Sequence, residues 1–197
     1  NPKNVLGFTK RIAEIVSQNY FLNSNLSKKN LSIVRFGNVF GSQGSAVQIF
    51  TEQLSKGQPV TISDYRAERY FMSIKEACNL VLQGSQIKTK KNSIIVLNMG
   101  KPIKILNVIK KIIELFNINE KNVPIIKTGL KSGEKLKEKI SISDLFYKTK
   151  HPDILQIKEP IYSIEQVNKL IIDLTDLVKN YKGQQANLLM KSFLKKE

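Results

Sequence analysis

The chain has 197 residues, 41% of them hydrophobic, and its 32 lysines and arginines against 16 acidic residues give a formal net charge of +16. That length and apolar content can build a sizeable core, as one domain or parts of two. One cysteine excludes an internal disulfide and a cysteine-based zinc site and fits a reducing cytoplasm, and no run of about 18 apolar residues or leader-like pattern is visible.

Residues 4–22 predict a helix, because Val5, Phe8, Ile12, Ile15, Val16 and Tyr20 recur at three- and four-residue spacing. LSIVRF (31–36) reads as a buried strand and GNVFGSQGS after it as a loop. AVQIFTEQLSKG is a short amphipathic helix ending on a glycine suited to a helix stop. PVTIS is a strand and DYRAERYFM an extended or looped stretch. Ser73 then caps a helix, with Glu76 completing a capping box. Cys78 within that helix is expected to be a buried small hydrophobe.

SIIVLNMG is a second clear strand and ILNVIKKIIELFNI a strongly periodic helix. VPIIKTGL is a short strand leading to the loop KSGEK, and ILQIKEP reads as an edge strand. SIEQVNKLIIDLTDLVKNY is a long helix capped by Ser163, and QQANLLMKSFLKK a last helix. Strands alternating with helices imply an α/β fold with some parallel pairing. The glycine-rich dinucleotide fingerprint, G-x-G-x-x-G after a strand, is absent.

The positive charge raises a nucleic-acid reading. The lysines are spread over every segment, and no stripe interleaves aromatics with bases, so a solvated lysine coat is expected and nucleic acid is not an expected partner. Against that background the four arginines, Arg11, Arg35, Arg66 and Arg69, mark places where a planar, forked donor matters, phosphate contact being one such use. The lone histidine, His151, sits in a turn-like HPDI and has no partners that spell a metal site. Asp144, Asp153 and Glu165 read as caps and surface charges.

Leu6 and Lys10 are four residues apart and share one helix face. Lys10 can be a plain surface lysine or half of a catalytic pair. Asn38 in GNVFGSQGS offers an amide to a phosphate oxygen, and Gly37 and Gly41 allow close backbone approach; a plain strand-to-helix turn would use the same residues.

NPKNVLGFTKR, VRFGNVFGSQGSAVQIF, TISDYRAERYFMSIKEA and TGLKSGEKLKEKI occur in this order. Together they resemble the later half of extended short-chain dehydrogenase/reductase enzymes. Within these the chain is similar to the polysaccharide biosynthesis family of UDP-N-acetylglucosamine 4,6-dehydratases, from Asn1 to about Pro160. The resemblance implies the C-terminal part of a Rossmann-type parallel sheet (1–121) with a smaller α/β substrate-binding region and C-terminal helices (122–197). It places Lys10 at the lysine of the Tyr-x-x-x-Lys helix, holding the nicotinamide ribose of NAD or NADP. Leu6 stands at the tyrosine position, where it cannot titrate. Longer, membrane-anchored members carry Met there and assign proton transfer to an upstream Thr-Asp-Lys stretch that these residues do not contain.

By the same resemblance, Phe36, Gly37, Asn38 and Val39 pass the cofactor, and Asn38 goes on to the sugar diphosphate. Val47 and Gln48 lie near the uracil, Arg69 grips the diphosphate, and Glu134 accepts from ribose or base. KSGEK stands where the family has RPGEK, so Lys131 keeps the charge of an arginine but loses its fork. The implied reaction takes a hydride from sugar C4, a proton from C5 and water from C6, and returns the hydride to C6. A 4-epimerase of the same superfamily is the alternative. The chain is expected to be part of a longer enzyme, a homo-oligomer when intact, in the cytoplasm or on the cytoplasmic face of the inner membrane. By itself it is expected to bind cofactor weakly and turn nothing over, because it lacks the glycine-rich turn.

Overall fold

The computed structural model describes residues 2–24, 31–42, 44–87, 93–138 and 146–195, so Asn1, residues 139–140 of the fourth motif and Asp144 lie outside it. Helix α1, Val5–Leu22, starts where the Asn4 side chain accepts the Gly7 N–H, and it buries Phe8, Ile12 and Ile15 on one face. Val5 and Tyr20, at the ends of the expected stripe, are half exposed.

The strand expected over 31–36 is shorter and only half-buried: β1 is Val34–Arg35. The chain leaves it at Phe36–Gly37, and the next two residues pair elsewhere, as β2, Asn38–Val39, parallel to β5, Phe71–Met72. Helix α2, Ala46–Ser55, follows a Ser45 cap, and Gly57 takes the left-handed conformation just past its end. Strands β3, Val60–Ile62, and β4, Glu68–Arg69, lead to β5.

Helix α3, Ile74–Gln86, carries the expected capping box between Ser73 and Glu76, which holds the Glu76 carboxyl below its ordinary range. Its core-facing positions are Ala77, Leu80, Val81 and Gly84, and Cys78 is exposed. The buried expectation fails because Cys78 lies one position off that stripe.

Beyond α3 come β6, Ser93–Leu97, β7, Ile103–Lys104, and α4, Ile105–Leu115. They are followed by β8, Ile125–Lys127, β9, Tyr147–Lys148, and β10, Ile154–Lys158. Helices α5, Ile164–Lys179, and α6, Gly183–Leu194, close the fold, with Ser163 and Gln166 forming the α5 capping box.

The main sheet has the order β1-β6-β10-β9, with β1 and β6 parallel and β10 antiparallel to both its neighbours. ILQIKEP is therefore not an edge strand. Ile154 and Ile157 are fully buried between sheet neighbours, and the polar Glu159 that gives the segment an edge-like look is itself buried, held by two arginines. Short pairs complete the structure: β3 parallel to β8, and β4 antiparallel to β7.

One core lies between α2, α4 and β3, around Phe50, Val60, Ile109 and Ile113. A second joins α1 to α5 and α6 through Phe8, Ile15, Val167, Leu170 and Met190. Each such side chain contributes about 1.5–3 kcal/mol on burial. The pairings β3–β8 and β6–β10 and the packing of α1 on α5 and α6 all join residues on either side of position 122. Among the described residues no helix is long and apolar enough to cross a membrane.

Candidate functional site

A cleft of about 820 Å³ opens where β1 and β6 end, between the first turns of α1 and the loop 133–138. Parallel sheets leave their ligand sites at the carboxyl ends of strands, because the chain there turns away into loops. Two glycines shape this cleft. A Cβ on Gly37 would sit 2.8 Å from the Met99 sulfur and from the Tyr70 carbonyl, so only glycine lets the segment after β1 pass here. Gly133, at φ +80°, turns the loop so tightly that a Cβ would lie 2.6 Å from the Lys3 carbonyl.

Among the described residues, the floor holds a network that includes four charges. Arg11 reaches Glu14 at 3.1 Å and Glu159 at 2.8 Å. Arg35 reaches Glu14 at 2.6 Å and Glu159 at 2.7 Å. The Arg11 and Glu159 side chains are 6% and 3% exposed. Burial lowers the Arg35 pKa, but the hydrogen bonds and charges of Glu14 and Glu159 outweigh it and leave it raised. Burying charges costs several kcal/mol each, so this group persists because every guanidinium fork meets a carboxylate. The phosphate use expected of these two arginines gives way to carboxylate partners, one of them contributed by the segment after β10.

The wall is built on Arg69. Its Nη1 donates to the carbonyls of Glu68 and Leu136 at 2.8 and 3.1 Å. Its Nη2 lies 3.6 Å from Glu134 and its Nε 3.4 Å from Glu138. Glu134 also accepts the Ser63 hydroxyl at 2.6 Å and the Lys131 N–H at 3.1 Å. Arg69 thus clasps the 131–138 loop to β4. The fourth arginine, Arg66, holds the buried Asp64, whose pKa is pushed well below the usual range first by the Arg66 hydrogen bonds and further by Lys127.

Of the residues singled out from sequence, Lys10, Phe36, Gly37, Arg69 and Glu134 line this one cleft. Leu6 is exposed and does not line it, although Gly7 and Lys10 beside it do. Asn38 and Val39 are absorbed in the β2–β5 pairing. Val47 packs against the α2–α4 core, and the Gln48 side chain accepts the Gly44 N–H. The Lys131 side chain is exposed and outside the lining. His151 shapes its own turn, its Nδ1 accepting the Asp153 N–H. Among the described residues no cluster of histidine, cysteine or acidic side chains is arranged for a metal.

Sequence reasoning passed over Lys3, Lys135, Glu138, Met99 and Glu159. The KSGEK loop pointed to Lys135, but nothing local marks Lys3, which reaches the cleft because Gly133 packs on its backbone. Burial, then the charge of Lys3, holds the Lys135 ammonium below its ordinary pKa, partly opposed by Glu138.

The part-parallel α/β sheet with a cleft at its strand ends is the architecture of a Rossmann-type fold, which solved relatives share. The chain belongs to the polysaccharide biosynthesis protein family, whose model matches residues 1–159. It is 40% identical over 189 residues to the capsular polysaccharide biosynthesis protein CapD of Staphylococcus aureus, covering 94% of this chain and 30% of that protein. It is 27% identical over 198 residues to the UDP-N-acetylglucosamine 4,6-dehydratase (inverting) of Campylobacter jejuni, covering 98% of this chain and 54% of that one. Among solved structures, Pen from Bacillus thuringiensis superposes with a TM-score of 0.70 at 28% identity, over 83% of this chain and 50% of Pen. The UDP-glucuronic acid 4-epimerase from Bacillus cereus, solved with UDP-glucuronic acid and NAD, shares the fold at 21% identity and a TM-score of 0.56, over 70% of this chain and 43% of its own. The chain therefore spans about half or less of the length of these proteins.

Proposed function

We propose that the protein carrying this chain is a nucleotide-sugar 4,6-dehydratase of polysaccharide biosynthesis, acting on a UDP-N-acetylhexosamine with NAD or NADP. The observation that carries this reading is Lys10 set in the cleft one helical turn after Leu6, a residue that cannot titrate. An epimerase built on the usual tyrosine would need an acid-base group at that position. The cleft fits the nicotinamide end of such a cofactor: it lies at the strand ends, and Gly37 lets the segment after β1 pack close against Met99 and Tyr70 as it enters the cleft.

When bound, the cofactor would supply the acceptor and later the donor of the hydride. The chain's own residues do the rest of what this part of the enzyme does. The Lys10 ammonium donates to ribose hydroxyls and holds positive charge beside the reacting centre. Glu134, fixed by Ser63 and the Lys131 N–H, presents a carboxylate oriented to accept from a sugar or ribose hydroxyl. The ion-paired floor beneath holds α1 and the segment after β1 in fixed relation, so Lys10 and Gly37 meet the ligand in one geometry.

The test is product analysis with the full-length protein, NAD and UDP-N-acetylglucosamine. The expected product has lost one water and carries a C4 ketone and a C6 methyl group. A product of unchanged mass inverted at C4 would assign the protein to the epimerases instead.

A further inference from the structure

The Glu134 carboxylate is held from two sides. Its Oε2 accepts the Lys131 N–H at 3.1 Å within its own turn, where the Glu134 N–H donates back to the Lys131 carbonyl at 2.9 Å. Its Oε1 accepts the Ser63 hydroxyl at 2.6 Å, from a segment 71 residues earlier in the chain. A hydroxyl that close to a carboxylate makes a charge-assisted bond, roughly twice as strong as a neutral one. The Arg69 Nη2 stands further off, 3.6 Å from the same oxygen. A guanidinium attracts a carboxylate strongly, so the Ser63 hydroxyl is what keeps that oxygen out of a closed ion pair with Arg69.

Ser63 has fixed neighbours. It follows β3, where the Ile62 carbonyl accepts the Thr128 N–H at 2.8 Å, and it precedes Asp64, which is 3% exposed and tied to Arg66 and Lys127. An ionised carboxylate offers about four acceptor positions, two on each oxygen. Among the described residues each Glu134 oxygen uses one of them, for Ser63 or for the Lys131 N–H, and Arg69 lies beyond hydrogen-bond distance. One position then stays open on each oxygen of a carboxylate that lines the cleft. Two such positions match two neighbouring hydroxyls on one face of a ring, and in a UDP-sugar the ribose carries such a pair. We propose that Ser63 is a positioning residue: its hydroxyl aims Glu134 at the ribose diol and so makes the cleft select a ribonucleotide over a deoxyribonucleotide. The proposal rests on the nucleotide-sugar reading and names the residue that sets its choice of ribose.

Calorimetry on the full-length protein, with UDP and 2′-deoxy-UDP as separate probes, tests it. The wild-type protein should prefer UDP by about tenfold, the effect of one hydrogen bond to a charged group. Ser63→Ala should weaken UDP about fivefold and leave 2′-deoxy-UDP within about twofold, so the preference nearly disappears. Ser63→Thr, which keeps a hydroxyl, should retain the preference. Glu134→Gln, which keeps the shape and removes the charge, should lose it as Ser63→Ala does. Equal binding of both nucleotides by the wild-type protein overturns the assignment and leaves the nucleotide-sugar reading intact. A preference that survives in Ser63→Ala does the same, even with both nucleotides weakened alike, because that is the mark of a residue that only supports the fold. Binding of neither nucleotide by the wild-type protein overturns both.

Discussion

At the floor of the cleft, Arg11 and Arg35 meet Glu14 and Glu159 at 2.6–3.1 Å, with Arg11 and Glu159 6% and 3% exposed and Arg35 and Glu14 21% and 16%. At the wall, Arg69 meets Glu134 and Glu138 at 3.6 and 3.4 Å, with those carboxylates 26% and 39% exposed. The residue types are the same and the cleft is the same. Burial decides the difference. Inside, each charge is held by a partner, because an unmatched one has no water to fall back on. At the wall, water screens the carboxylates, and the contacts are long enough to rearrange at little cost. The shorter, more buried contacts fix the position of Lys10, and the longer, more open ones let the 131–138 loop adapt to what enters.

Breaking the floor gives the largest effect. Glu159→Ala removes the more buried of the two carboxylates that Arg11 and Arg35 share and should lower unfolding free energy by about 3–5 kcal/mol, read from the urea midpoint. A loss under about 1 kcal/mol would mean that water reaches the network and the contrast with the wall is void. Next comes Gly133→Ala, which puts a Cβ on a residue at φ +80° against the Lys3 carbonyl. It should cost about 1–3 kcal/mol and also weaken UDP binding, because the loop is pushed off Lys3. The smallest effect belongs to Glu138→Gln, which removes one open contact at the wall and should change stability by about 0–1 kcal/mol. A change as large as that of Glu159→Ala would show that the wall is held as tightly as the floor.

Much of the fold was legible in the sequence wherever the signal is short-range. The apolar spacing of Ile105, Val108, Ile109, Ile112 and Ile113 marks α4, and the structure buries all five. Ser73 with Glu76 announces the start of α3, and Ser163 that of α5. The part-parallel α/β class follows from the alternation of such segments. What failed depended on distant partners. LSIVRF looks like a full strand, but a second pairing with β5 draws Asn38 and Val39 away. ILQIKEP looks like an edge because Glu159 is charged, and nothing nearby in the chain reveals that Arg11 and Arg35 will neutralise it.

The site divides the same way. The sequence by itself determined that Lys10 follows Leu6 by one helical turn, that Gly37 and Gly133 stand at turns, and that arginine is scarce enough to notice. Only the tertiary structure decided which charges those arginines meet, that Lys3 reaches the loop carrying Lys135, and that Cys78 faces outward. Helical period and capping are set by atoms a few residues apart. The neutralisation of a charge depends on which segments the folded chain carries past each other, and that information is spread over its whole length.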